Sequence, residues 1–247
     1  MKKVFFHTVT TAGQLDFFQR TRPDAVLDIS GDLLNTADDS VKCGGIRDII
    51  SPQLTRLIAG EKLPVQSDFI QLFRERCRRA AQLNASFVTA DFDPLACCND
   101  EDKEKKLLEF ISGLLGILHQ YKLTLLFTVR LPMTGEDDMV KIKKFRHKLL
   151  YPGLGFAFDF HPHEPGAFDC CRIPDIFPFD CGNWQISFEP EKGNFLTRQL
   201  IDKFFTISET PYLPSARISV NIGKIQPDVM MIQDIDGLFI QSGENNQ

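Results

Sequence analysis

Asp159, His161 and His163 alternate along the string Asp159-Phe160-His161-Pro162-His163. Successive side chains of an extended strand point to opposite faces, so these three polar groups share one face and Phe156, Phe158 and Phe160 share the other. A carboxylate oxygen beside imidazole nitrogens suits a divalent cation such as Mn²⁺, Mg²⁺, Co²⁺ or Zn²⁺. Glu189 or Glu191, at the end of the next apolar run, would complete its coordination. Such an ion polarises carbonyl and hydroxyl oxygens as a Lewis acid, and another carboxylate, Asp91 or Asp234, would move a proton as general base. The same string also works as a plain turn, with Asp159 bonded to nearby amides and both histidines in water.

A second signal lies near the end of the chain. Asn221-Ile222-Gly223-Lys224 and Asp236-Gly237-Leu238 each follow an apolar run, and small residues there let backbone amides approach an anion. A metal-free phosphate cradle would use Gly223, Lys224 and Gly237. Nucleophilic catalysis has less support. Cys97 and Cys98 have no paired histidine in sequence, and no G-x-S-x-G elbow, P-loop or G-x-G-x-x-G turn occurs. The seven cysteines form no C-x-x-C pair, which points to reduced thiols in a reducing compartment. The run Arg74–Arg79 is interrupted by Glu75 and reads as a solvated helix face.

These groups need elements to position them. Runs rich in β-branched and aromatic residues recur with helical segments between, the signature of βα units around a parallel sheet. The expected strands are Lys3–His7, Ala25–Ile29, Ser86–Asp91, Thr124–Val129, Gly155–Phe160, Trp184–Phe188, Arg217–Asn221 and Val229–Ile232. Helices are expected over Asp68–Leu83 and Asp100–Tyr121, the second capped by Asn99. A long segment, Asp32–Ser67, separates the second and third expected strands and holds Cys43-Gly44-Gly45 and a helix near Leu54–Ala59. Only Ile222–Asp228 separate the last two, so the pattern predicts a single-domain (β/α)₈ TIM-type barrel over residues 1–247, trimmed at its C-terminal end. Barrel chemistry gathers at the C-terminal ends of the strands, where the acids and histidines above fall.

Bulk properties agree. The chain has 247 residues, 43% of them hydrophobic and 25% charged, with a formal net charge of -5. That charge supplies no basic footprint for nucleic acid or an anionic membrane. The apolar stretch after Lys3 is far shorter than a signal h-region of roughly 7–15 residues, and no run reaches the roughly 20 residues of a membrane span. The expected location is the cytoplasm. The 22 phenylalanines predict a core filled with rings.

Three stretches resemble the xylose isomerase-like barrels, a group of sugar and sugar-phosphate isomerases and epimerases. They are Arg78–Val88, Leu107–Arg130 and Gly155-Phe156-Ala157-Phe158-Asp159. The resemblance implies one divalent metal held by a Glu, an Asp, a His and a second Glu, and a proton moved between carbons of an open-chain sugar. Asp159 matches the aspartate. The first glutamate falls near Thr128 to Arg130, where no acid stands. The histidine position is Pro162, flanked by His161 and His163; Glu189 and Glu191 stand near another ligand position, and Asp234 or Asp236 near the last. Arg130, Gly223 and Lys224 are the candidate substrate-binding residues. The alternative is a barrel of the same fold that has lost its ligands and binds without catalysis, its mouth plugged by Phe160, Phe168 and Trp184.

Overall fold

The computed structural model describes residues 4–50, 66–91, 100–131, 136–149, 151–167, 183–188, 190, 193, 195–208 and 217–244. In chain order the elements are β1 (Val4–Val9), α1 (Ala12–Thr21), β2 (Val26–Ser30), β3 (Lys42–Arg47), α2 (Gln66–Gln82), β4 (Phe87–Asp91), α3 (Glu101–Tyr121), β5 (Thr124–Leu131), α4 (Glu136–Lys148), β6 (Leu154–Phe160), β7 (Asn183–Ser187), α5 (Arg198–Ser208), β8 (Arg217–Asn221) and α6 (Val229–Glu244). The eight strands are parallel and close into a barrel, β8 returning to β1 with Val4 opposite Arg217 and Thr8 opposite Asn221. Among the described residues no helix is long and apolar enough to cross a membrane.

The outward faces of the strands and the inner stripes of the helices form the main core. Phe127 meets Phe145 of α4, Trp184 meets Phe204 of α5, and Phe5 stacks on Phe239 of α6 with centroids 4.5 Å apart. On α3 the buried Leu107, Ile111, Leu114 and Leu118 repeat at helical spacing. Its N-cap is Asp100 rather than Asn99: the Asp100 carboxylate accepts from the amides of Asp102 and Lys103. The arginines of α2 divide. Arg74 and Arg78 are exposed as expected, while Arg76 donates to Ile49 O and Arg79 to Leu34 O and Ala37 O, pinning α2 to the segment around β3.

Seven of the expected strands correspond to observed ones, and two features differ. The third strand of the barrel, β3, lies inside the segment read as an insertion. Its sequence, Lys-Cys-Gly-Gly-Ile-Arg, has no apolar alternation because glycine is needed there: a Cβ on Gly44 would strike the Arg217 guanidinium, and one on Gly45 the Phe87 ring. Val229–Ile232 is not a strand but the first turn of α6. Asp228 caps that turn by accepting from the Met231 amide, and Ile232, Ile235 and Phe239 then recur on a buried stripe. With β3 counted and α6 in place, the barrel is complete and its C-terminal end is not trimmed. The expected helix near Leu54–Ala59 lies outside the described residues.

Inside the barrel the chemistry is mostly polar. Phe87, Leu126 and Ala157 make a small apolar cluster. Above and beside it Arg47 donates from Nε (3.2 Å) and Nη2 (2.9 Å) to Asp28 Oδ2, and from Nη2 to Ser219 Oγ at 2.8 Å. Arg217 donates to the other Asp28 oxygen and lies 3.5 Å over the Phe6 ring. Asp28 is 0% exposed and Arg47 4%, so this cluster is shielded from water and each member depends on its partners.

Candidate active site at the barrel mouth

β6 is the strand that carries the site, and its composition explains why. Phe156, Phe158 and Phe160 are drawn outward under the helices, which turns Ala157 and Asp159 into the barrel. The chain stays in register one residue past the strand, because the His161 amide donates to Leu131 O at 3.2 Å. That bond sets the His161 ring beside the Asp159 carboxylate, with Nε2 3.0 Å from Oδ2.

The other carboxylate oxygen is held by β7. Ser187 Oγ donates to Asp159 Oδ1 at 2.6 Å and Gln185 Nε2 donates to it at 3.1 Å. Gln185 Nε2 also donates to Ser187 Oγ (3.0 Å), and Gln185 Oε1 accepts from Thr8 Oγ1 of β1 (3.2 Å). Burial pushes the Asp159 pKa up, but the hydrogen bonds from His161, Ser187 and Gln185 outweigh it and hold the carboxyl below its usual range. Asp159 is therefore ionised and can only accept, so the proton between it and His161 belongs to Nε2. In the neutral ring the lone pair sits on Nδ1. Nδ1 faces Glu164 Oε1 at 3.9 Å, and Glu164 is ion-paired with Arg130 from the end of β5.

The expected site residues distribute as follows. Asp159 and His161 stand together, and Arg130 reaches them through Glu164. His163 is exposed on the following turn. Asp91 ends β4 opposite Thr128 in register; its side chain, like Glu189, Glu191, Phe168, Cys97 and Cys98, lies outside what is described. Asp234 is exposed on α6, and Asp236 is half-buried between α6 and the outer wall of the barrel, bonded to His7 of β1 (2.9 Å) and Arg22, because that stretch is helix and not a strand end. Gly223 is a structural turn at φ +68°: its amide donates to Asn221 Oδ1 (2.9 Å), and its carbonyl accepts from Thr10 Oγ1 (2.6 Å) and Gln14 Nε2 (3.0 Å). Lys224 is exposed and Gly237 sits within α6, so these three residues do not assemble the expected phosphate cradle. Phe160 and Trp184 do not plug the mouth. They point into the helix layer, each against Phe204 at 5.3 and 5.6 Å.

The residues that sequence reasoning passed over are Gln185, Ser187 and Thr8. The alternation of Asn183, Gln185 and Ser187 against Trp184 and Ile186 marks them as one polar face, but neutral side chains match no catalytic motif. Among the described residues no group of three His, Cys, Asp or Glu converges in a way that could hold a metal ion. The two donors that do meet, Asp159 and His161, are hydrogen-bonded to each other, so the described donor set does not fit the four-ligand metal site implied by resemblance.

No family model matches the chain, and no curated protein matches it. Solved structures do. A xylose isomerase domain protein from Alicyclobacillus acidocaldarius superposes with a TM-score of 0.61 at 14% identity, over 97% of this chain and 100% of that one. A D-tagatose 3-epimerase-like protein gives 0.63 at 11% identity, over 98% and 99%. A 3-keto-D-glucoside 4-epimerase from E. coli gives 0.64 at 9% identity, over 96% and 99%. The fold is that of the xylose isomerase-like barrels.

Proposed function

We propose that the barrel mouth acts on an open-chain sugar or sugar phosphate as an isomerase or epimerase, moving a proton at the carbon beside the carbonyl. The observation that carries this reading is the Asp159–His161 pair, buttressed by Ser187 and Gln185 at the end of the strand where such barrels do their chemistry. His161 Nδ1 takes the proton from carbon. The C–H electron pair becomes the C=C bond of an enediolate, and the carbonyl π pair moves onto oxygen. Asp159 stabilises the imidazolium that forms and keeps the ring in the required tautomer. The imidazolium then returns the proton: for epimerisation to the opposite side of the same carbon after the intermediate turns, and the carbonyl re-forms; for isomerisation to the neighbouring carbon, while the hydroxyl proton of the first carbon's oxygen passes to the former carbonyl oxygen so that the new carbonyl forms. Arg130 is the cation that would receive the enediolate oxygen or a phosphate, in exchange for Glu164.

Solved neighbours named as a D-psicose 3-epimerase and an L-ribulose 3-epimerase support the substrate class. The divalent ion implied by the resemblance would polarise the sugar's carbonyl and hydroxyl oxygens as a Lewis acid, and Glu189 and Glu191, expected to help hold it, lie outside the described residues. A second reading, a binding barrel of the same fold without catalysis, is favoured by the lack of an acid at Thr128 to Arg130, where the resemblance implies the first glutamate. Incubation with a panel of ketoses, aldoses and their phosphate esters, followed by product chromatography, separates the two. The isomerase reading expects conversion of at least one member and its loss in His161→Gln. Binding of a sugar with no conversion by any preparation would leave the non-catalytic barrel.

A further inference from the structure

We propose that the floor of the barrel holds a small monovalent anion, chloride under physiological salt, between Arg217 of β8 and Asn183 of β7. This site lies at the N-terminal ends of the strands, away from the mouth, and stands independently of the proposed sugar chemistry.

Two guanidinium groups share one carboxylate here. Arg47 gives Nε and Nη2 to Asp28 Oδ2, and Arg217 gives Nη2 to Oδ1, so both oxygens of Asp28 are taken and one positive charge is left over. Both guanidinium carbons lie by the same ring, 5.2 and 5.0 Å from the Phe87 centroid. Among the described residues no second carboxylate joins them: Asp159 bonds to His161, Gln185 and Ser187 and to neither arginine. The Cys43 thiol, pushed up to about 12 by burial and by Asp28, carries no charge. A desolvated charge without a counterion is costly, and Arg47 and Asp28 are closed off from water.

Hydrogen bonding places the ion. Arg217 Nε and Asn183 Oδ1 are both buried and without a partner, and the two residues stand opposite in register as the first of β8 and β7. A water joining donor to acceptor would satisfy both but leave the charge. Turned over, the Asn183 amide presents Nδ2 instead. An anion then accepts from Asn183 Nδ2 and Arg217 Nε, and the excess charge is cancelled. The Phe6 ring, 3.5 Å away, and the close-packed Gly44 backbone hold the Arg217 guanidinium in place. Its side chain is 18% exposed, which gives ions a way in from the floor. Two donors and one unit of charge suit a halide; a phosphate would need more of both.

Urea unfolding at constant ionic strength, with sodium chloride exchanged stepwise for sodium gluconate, reads the site. Once chloride exceeds its Kd, the folding constant of wild type should rise about tenfold for each tenfold rise in chloride. Arg217→Met removes the excess charge and the unpaired donor while Asp28 keeps Arg47, so that dependence should vanish. Asn183→Ala keeps the charge and loses one donor, and its chloride Kd should rise severalfold. Anomalous scattering from wild-type crystals soaked in sodium bromide needs no variant to fold: a peak is expected within hydrogen-bond reach of Arg217 Nε and the Asn183 amide. Bromide on the outer surface only, or the same chloride dependence in wild type and Arg217→Met, would overturn the site. Neither result bears on whether a sugar reacts at the mouth.

Discussion

Asp159 is a carboxylate with every oxygen assigned, and its substitution should be read accordingly. Asp159→Asn preserves shape and still accepts from Ser187 and Gln185, but its amide nitrogen then donates toward His161 Nε2. The neutral ring must move its proton to Nδ1, which removes the base. Turnover should fall roughly 10²- to 10⁴-fold with KM nearly unchanged, as for loss of general-base catalysis, measured as steady-state rates on any substrate found. A parallel rise in KM would mean that Asp159 holds the substrate rather than the ring. At the same scale, burial pushes the Cys43 and Cys77 thiols up to about 12, with Asp28 adding to the shift at Cys43. Both should resist a thiol reagent in the native protein and react only on unfolding; labelling followed by peptide mass mapping shows which thiols are modified.

β3 shows how an element can be required by packing and still be hard to read. Gly44 and Gly45 leave room for the Arg217 guanidinium and the Phe87 ring, so Gly45→Ala should destabilise by about 1–3 kcal/mol through overpacking. Phe87→Leu should recover part of that loss, which a double-mutant cycle of urea midpoints would measure; additive losses would mean the two do not meet. β6, β7 and the two long helices were legible because their periodicities are clean, as in Phe156-Ala157-Phe158-Asp159-Phe160. β3 was not, since its glycines answer to residues far along the chain. Val229-Met230-Met231-Ile232 misled for the opposite reason: a short apolar run fits a strand or a helix, and only Asp228 and the later Ile235 and Phe239 decide it. Of the site, Asp159 and His161 stood out as ionisable groups on one strand. Gln185, Ser187 and the Asp28–Arg47 pair did not, because their meaning arises only when separate strands are brought side by side.

For the whole molecule, acid should be the weak side. Burial acts to raise the Asp159 and Asp236 pKa values, yet hydrogen bonds from His161 and Ser187 at one, and from His7 and Arg22 at the other, leave both below the ordinary 3.8. A lowered folded-state value means that the stability they contribute is complete above the unfolded value and is lost as pH falls through the folded one. Urea midpoints should therefore drop more steeply from pH 6 to pH 3 in wild type than in Asp236→Asn; parallel curves would deny that linkage. The barrel as a unit brings Thr8, Gln185, Ser187, Asp159 and His161 together from β1, β7 and the end of β6, and the chemistry assigned to the protein depends on that meeting. Wash-in of solvent deuterium at the carbon beside a ketose carbonyl, followed by proton NMR in D₂O, tests it most directly. Wild type should exchange that hydrogen and His161→Gln should not. A sugar that binds and keeps its hydrogen, or exchange that survives in His161→Gln, would contradict the assignment.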